Sequence, residues 1–283
     1  MSLREAQSYC RRVAHAHYEN FQIASFLIPR KLRQDFYNIY AFCRWADDCG
    51  DEVADPATAT GLLHWWQHEL EALYAGQAPR HPVMRALATT LAEHKLEQTH
   101  FTDLISAFLQ DQSQRRYASE SELADYCRRS ANPVGRLVLG LARADHDPEN
   151  LRLSDHICTG LQLANFCQDM ARDARMDRIY APRSLWNSHQ VDEAQLLAAG
   201  PTPALQGLLQ DWVAQAAEHL NAGAALVQRV PRWLATDVHL FRAGGLAILQ
   251  EITTANYDVW TRRPKVSKLR KLGLLIGALV QRY

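Results

Sequence analysis

Residues 161–182 read LQLANFCQDMARDARMDRIYAP, and they decide the fold because polar side chains fall on one side of a helix that is otherwise apolar. Asn165, Asp169 and Asp173 are spaced four apart, and Gln162 precedes Asn165 by three. At about 100° per residue these positions stack on a single helical face. A bundle helix turns carboxylates inward only toward something cationic, because a buried charge without a partner is costly. The spacing therefore predicts a metal-binding face. The competing reading pairs Arg172, Arg175 and Arg178 with Asp169, Asp173 and Asp177 on the surface, where such pairs contribute roughly 0–1 kcal/mol each.

Outward from this stretch, a second acidic face decides between the two readings. In AFCRWADDCGDEVAD (41–55), Asp47 and Asp51 are four apart, as are Asp48 and Glu52, so four acids project from adjacent positions. Alone, this would be a solvated helix end. It follows directly on Tyr40, Phe42, Cys43 and Trp45, however, so this part of the helix is largely apolar. Two acidic faces in one bundle can converge on a shared group of hard cations. Oxygen ligands without histidine or thiol point to Mg²⁺, which keeps its waters and binds through carboxylates plus substrate phosphate oxygens. A diphosphate leaving group meets that demand, and Arg44, with Tyr40 one turn before it, is placed to reach it.

The remaining chain supports an all-α architecture. Apolar residues recur at three and four, as in Leu32, Phe36, Ile39, Tyr40 and Cys43, no period-two strand or repeat stands out, and punctuation is brief. A capping-box pattern opens at Ser119-x-x-Glu122, Asn132-Pro133 should split a helix, and Gly200-Pro201-Thr202-Pro203 is the strongest break. The expectation is one domain over 1–283. Lysine plus arginine and aspartate plus glutamate stand at 31 each, so no overall charge favours nucleic acid. The six cysteines form no C-x-x-C pair and read as reduced, structural thiols. With no leader-like apolar region and no run of about 18 apolar residues, the expected compartment is the cytoplasm. The segment RRPKVSKLRKLGLLIGALVQRY (262–283) fits either an interfacial helix, with peripheral contact at the inner membrane face, or a terminal helix packed on the bundle.

Together, YAFCRWADDCGDE and LQLANFCQDMARDARMDRIYAP resemble the two aspartate-rich motifs of the squalene and phytoene synthases. HYENFQIASFLIP (17–29) is similar to that family's substrate segment, YCRRSANPVGRLVL (126–139) to its central tyrosine-bearing helix, and DRIYAP to its post-motif turn. The resemblance implies an isoprenoid-synthase helical bundle with two facing aspartate-rich helices around a central apolar cavity, and a prenyl diphosphate substrate. It makes Asp47 and Asp51 ligands of a first Mg²⁺ site with Asp48 in support, and Asn165, Asp169 and Asp173 ligands of a second, for two or three ions in all. It places Tyr40, Arg44, Gln162 and the segment His17, Tyr18, Glu19, Asn20, Phe21 against the diphosphate or prenyl chain. Tyr126 would guide the carbocation or a proton, and Phe21, Phe26, Leu137 and Leu161 would house hydrocarbon.

Departures from the family pattern narrow the expectation. Gln168 stands where arginine usually precedes the second-motif aspartate, and Gly244 and Gly245 stand where many relatives carry tyrosine. With SANPVGRLVL and YDVWTRRP, these features resemble the hydroxysqualene synthase branch of the bacterial hopanoid pathway, although Cys167 replaces that branch's usual tryptophan. This implies conversion of presqualene diphosphate to hydroxysqualene without NADPH. Neighbouring enzymes would make the presqualene diphosphate and reduce the product. The alternatives are a head-to-head transferase acting on farnesyl or geranylgeranyl diphosphate, and a catalytically silent helical assembly subunit.

Overall fold

The computed structural model describes residues 1–16, 28–197 and 200–280, with 279 and 280 as backbone alone. His17, Tyr18, Glu19, Asn20, Phe21 and Phe26 lie outside the described residues. Every regular element among the described residues is a helix, and the one β pairing is an isolated bridge between Arg116 and Ile179. The all-α expectation holds. The chain divides into two compact units, 1–113 with 133–148, and 114–132 with 149–283.

The first unit contains α1 (Leu3–Ala16), α2 (Arg33–Asp51), α3 (Pro56–Tyr74), α4 (Pro82–His94) and α5 (Gln98–Asp111). Proline opens two of these helices, where its missing N–H costs nothing. Asp55 accepts from the Thr58 amide at 2.9 Å to cap α3, and the His81 ring accepts from the Val83 amide at 3.3 Å to cap α4. Helix α2 packs on α1, α3, α4 and α5. Its Phe42 stacks on Trp66 at 5.4 Å and meets Phe101 edge-on at 5.0 Å, all three fully buried. A buried polar chain fixes its register on α4: Gln34 donates to Asn38 (2.8 Å), Asn38 to the Ala86 carbonyl (3.1 Å), and Thr90 to Asp35 (2.8 Å). Packing and polar chain together set the rotation of α2, and with it the direction of its acidic end.

In the second unit, Ser119 caps α6 (Glu120–Ser130) by accepting from the Glu122 amide, and the chain breaks as expected before α7 (Asn132–Leu141), whose residues after Asn132 belong to the first unit. One unbroken 28-residue helix, α8 (Pro148–Arg175), carries the opening stretch of sequence. The short α9 (Arg183–Ser188) and α10 (Glu193–Leu197) follow. Then come α11 (Pro203–Ala222), a 3₁₀ turn (Ala224–Gln228), α12 (Arg232–Thr254) and α13 (Lys268–Val280). Close approach to α8 needs glycine: a Cβ on Gly160 would lie 2.8 Å from Leu220 Cγ and 2.9 Å from the Leu220 amide nitrogen. The same holds at Gly223, where a Cβ would come within 2.7 Å of the Leu153 carbonyl.

Gly160→Ala should therefore destabilise the protein by about 1–3 kcal/mol through overpacking. Gly61→Ala, in α3 with nothing within 4 Å of its Cβ, should stabilise it by about 1 kcal/mol. Thermal melts of the two variants check this, and an unchanged midpoint for Gly160→Ala would refute the close packing.

Candidate active site

The acidic end of α2 gathers round one guanidinium. Arg44 lies 3.0 Å from Asp47, 2.5 Å from Asp48 and 2.8 Å from Glu52. This follows from helix spacing, since residues three, four and eight further on return to the arginine's face. One cation does not neutralise the cluster. Burial, with Asp51 next, pushes the Asp47 carboxyl up to about 6, against the pull of Arg44. Tyr40 belongs to the same group: its hydroxyl is raised by burial first, and feels the charges of Arg44, Asp47 and Asp48. The structure thus brings Tyr40, Arg44, Asp47, Asp48 and Asp51 together on one helix end.

On α8, Gln162 and Asp173 are half-buried, Asn165 is exposed, and the Asp169 side chain is 15% exposed. A cation also reaches this face from far along the chain. Arg263, from the segment before α13, grips both oxygens of Asp169 at 2.5 and 2.9 Å and donates to Gln168 Oε1 at 2.8 Å. Gln168 in turn donates to the Pro264 carbonyl at 2.6 Å. Burial pushes the Asp173 carboxyl up to about 7, Asp169 adding to the rise while Arg172, Arg178 and Arg263 oppose it. Asp177 leaves the series because the helix ends at Arg175. It adopts a left-handed φ of 60°, and its carboxylate pairs with Arg116 at 2.7 Å and Arg115 at 3.5 Å.

Tyr126 belongs to the second unit and is 4% exposed within an aromatic cluster. Its ring is 5.5 Å from Tyr117, 5.8 Å from Tyr180 and 6.3 Å from Phe166, which itself stacks on Tyr180 at 4.0 Å. Leu137 is fully buried in the first unit. Leu161 faces α12, where a Cβ on Gly245 would meet its Cδ2 at 2.9 Å; nothing lies within 4 Å of a Cβ on Gly244. All six cysteines are free, as the sequence implied.

Three features escaped the sequence reading. Arg263 was legible only as one member of a basic run. Asp237 sits buried on α12 with Oδ1 lacking any hydrogen bond, and burial pushes its carboxyl up to about 8. Its signal was one acid inside an apolar helical pattern. Asp35, Glu93 and His94 form a compact group in the first unit, their ligand atoms within 4.8 Å of one another; Asp35 precedes Asp47 by three helical turns. The two acidic faces fit a hard divalent cation on donor chemistry. Their donors are all oxygen, and Asp47 and Asp173 are raised by burial first and by a neighbouring aspartate next, the two conditions that a bound cation would relieve.

Comparison with known proteins gives a consistent picture. The family model described as squalene/phytoene synthase matches residues 14–270. A squalene synthase HpnC from Alicyclobacillus acidocaldarius superposes with a TM-score of 0.86 at 40% identity, covering 90% of this chain and 95% of its own. The hydroxysqualene synthase of Sinorhizobium fredii is 34% identical over 75% of this chain and 71% of its own length. The 15-cis-phytoene synthase of Synechococcus elongatus is 29% identical over 99% and 94% respectively.

The raised carboxyls set a pH dependence. Between the ordinary value of 3.8 and their folded values of about 6 and 7, Asp47 and Asp173 hold more protons in the folded state than in the unfolded state. Their contribution to stability therefore falls as pH rises through that window. With chelator present, Asp173→Asn should melt at the same temperature as the parent near the bottom of the window and above it once pH exceeds about 7. Superimposable melting profiles for the two proteins would refute the raised Asp173.

Proposed function

Because the chain belongs to the squalene/phytoene synthase family, we propose that it converts presqualene diphosphate to hydroxysqualene. The observation that carries this reading is Gln168, a neutral amide where the family pattern expects arginine, bonded to both Arg263 and Pro264. With a glutamine there, the second acidic face has one fewer fixed cation, which suits one diphosphate group better than the two brought by a pair of prenyl diphosphates. Similarity to the Sinorhizobium fredii hydroxysqualene synthase and to squalene synthase HpnC supports the same branch.

Asp47 and Asp51 with Asp48 in support, and Asn165 with Asp169 and Asp173, are the residues that would hold Mg²⁺. When bound, the metal would neutralise charge on the departing diphosphate. Arg44 beside the first face and Arg263 beside the second are each oriented by carboxylates, and a guanidinium so held can offer phosphate oxygens charge-assisted hydrogen bonds. The carbon–oxygen bond breaks and its electron pair leaves with diphosphate. The rearranged cation takes a water oxygen, and that water loses a proton, so no hydride donor is consumed and NADPH is not required. Tyr126, among Tyr117, Phe166 and Tyr180, offers aromatic faces that stabilise positive charge.

The second reading is head-to-head condensation of two farnesyl or geranylgeranyl diphosphates. It draws on the 15-cis-phytoene synthase match across nearly the full chain. Purified protein given presqualene diphosphate and Mg²⁺ without NADPH should release diphosphate and hydroxysqualene. Product from farnesyl or geranylgeranyl diphosphate instead would establish the second reading. Asp47→Asn and Asp173→Asn should each lower turnover at least about a hundredfold with the fold intact. Full activity in Asp169→Ala would remove the second acidic face from the chemistry.

A further inference from the structure

Helix α13 is apolar on two opposite sides. Ala278 is 1% exposed, and α13 packs on α12, where Arg270 pairs with Glu251 at 2.5 Å. About 180° away on the wheel, Leu269 is 82% exposed, Ile276 54% and Leu272 52%. These three fall within about 60° of arc, so they form one continuous stripe that the described residues leave open to solvent. Isolated exposed leucines are ordinary, but a continuous stripe marks an interaction surface.

Charge identifies what covers it. Between Arg262 and Lys271 the chain carries six lysines and arginines, and after Asp258 it contains no aspartate or glutamate. Arg263 and Arg270 are engaged by Asp169 and Glu251. Arg262, Lys265, Lys268 and Lys271 are exposed and make no ion pair among the described residues. A second copy of the chain docking through the same face would bring these cations together, because a two-fold contact pairs each patch with itself. An anionic surface presents no such conflict. No helix among the described residues is long and apolar enough to cross a membrane, and thirteen residues span only about 20 Å.

We propose that α13 lies in the interface of an anionic bilayer, with Leu269, Leu272 and Ile276 in the acyl boundary and Arg262, Lys265 and Lys268 against the headgroups. This inference does not depend on the reaction. The full chain is tested by co-sedimentation with phosphatidylcholine vesicles, with and without phosphatidylglycerol, at low and high salt. Binding should require phosphatidylglycerol and weaken with salt. The double variant Lys265→Gln, Lys268→Gln should lose about fivefold in affinity per charge removed, and Leu269→Ser with Ile276→Ser should abolish binding, while circular dichroism reports an intact fold. Absence of binding to phosphatidylglycerol vesicles at low salt would overturn the proposal, as would equal binding to both vesicle types. So would a dimer, detected by light scattering, that dissociates in the Leu269→Ser, Ile276→Ser variant.

Discussion

Carboxylates four residues apart on a half-buried helix repel one another, and two helices of this protein hold them there. An exposed helix could let such side chains swing apart into water. Here Asp47 and Asp173 sit where burial is the largest cause of their upward shift and a neighbouring aspartate the next, so the helix geometry must be imposed from elsewhere. In the first unit that comes from the Phe42, Trp66 and Phe101 packing and from the buried chain through Asn38, Thr90 and Asp35. In the second it comes from Gly160, which lets Leu220 approach the backbone of α8, and from Gly223, which approaches the Leu153 carbonyl. Packing energy is spread over many contacts, and so it can hold an arrangement that local electrostatics disfavours.

The two faces use arginine differently. Arg44 belongs to the helix whose acids it joins, so its placement is a matter of periodicity. Arg263 reaches Asp169 from 94 residues further along the chain, and its placement depends on the whole second unit. The same contrast separates Asp173 from Asp177. Equal spacing puts both on one stripe in sequence, but the helix stops between them, and Arg115 and Arg116 take the second acid.

This explains what the sequence made legible. The helical class, the capping by Ser119, the break at Asn132-Pro133 and the clustering of Tyr40, Arg44, Asp47 and Asp48 rest on spacing within a few residues, and spacing is visible in a string of letters. Arg263, the buried Asp237 and the group of Asp35 with Glu93 and His94 depend on which distant elements pack together. Nothing in RRPKVSK distinguishes the arginine that meets Asp169 from those that stay in solvent. The acidic faces advertised themselves because they defy the usual pattern of a buried helix, whereas their long-range partner did not.

Gln168 both gives and takes: its amide nitrogen donates to Pro264 and its oxygen accepts from Arg263. A guanidinium has only donors, so an arginine in its place could still reach the carbonyl but would set two positive charges side by side and offer Arg263 nothing to bind. Positions 168 and 263 are thus a single chemical choice made at two places in the chain. Placing arginine at 168 while Arg263 stays would convert a clasp into a repulsion, and a redesign of this corner would have to change the two positions as a pair.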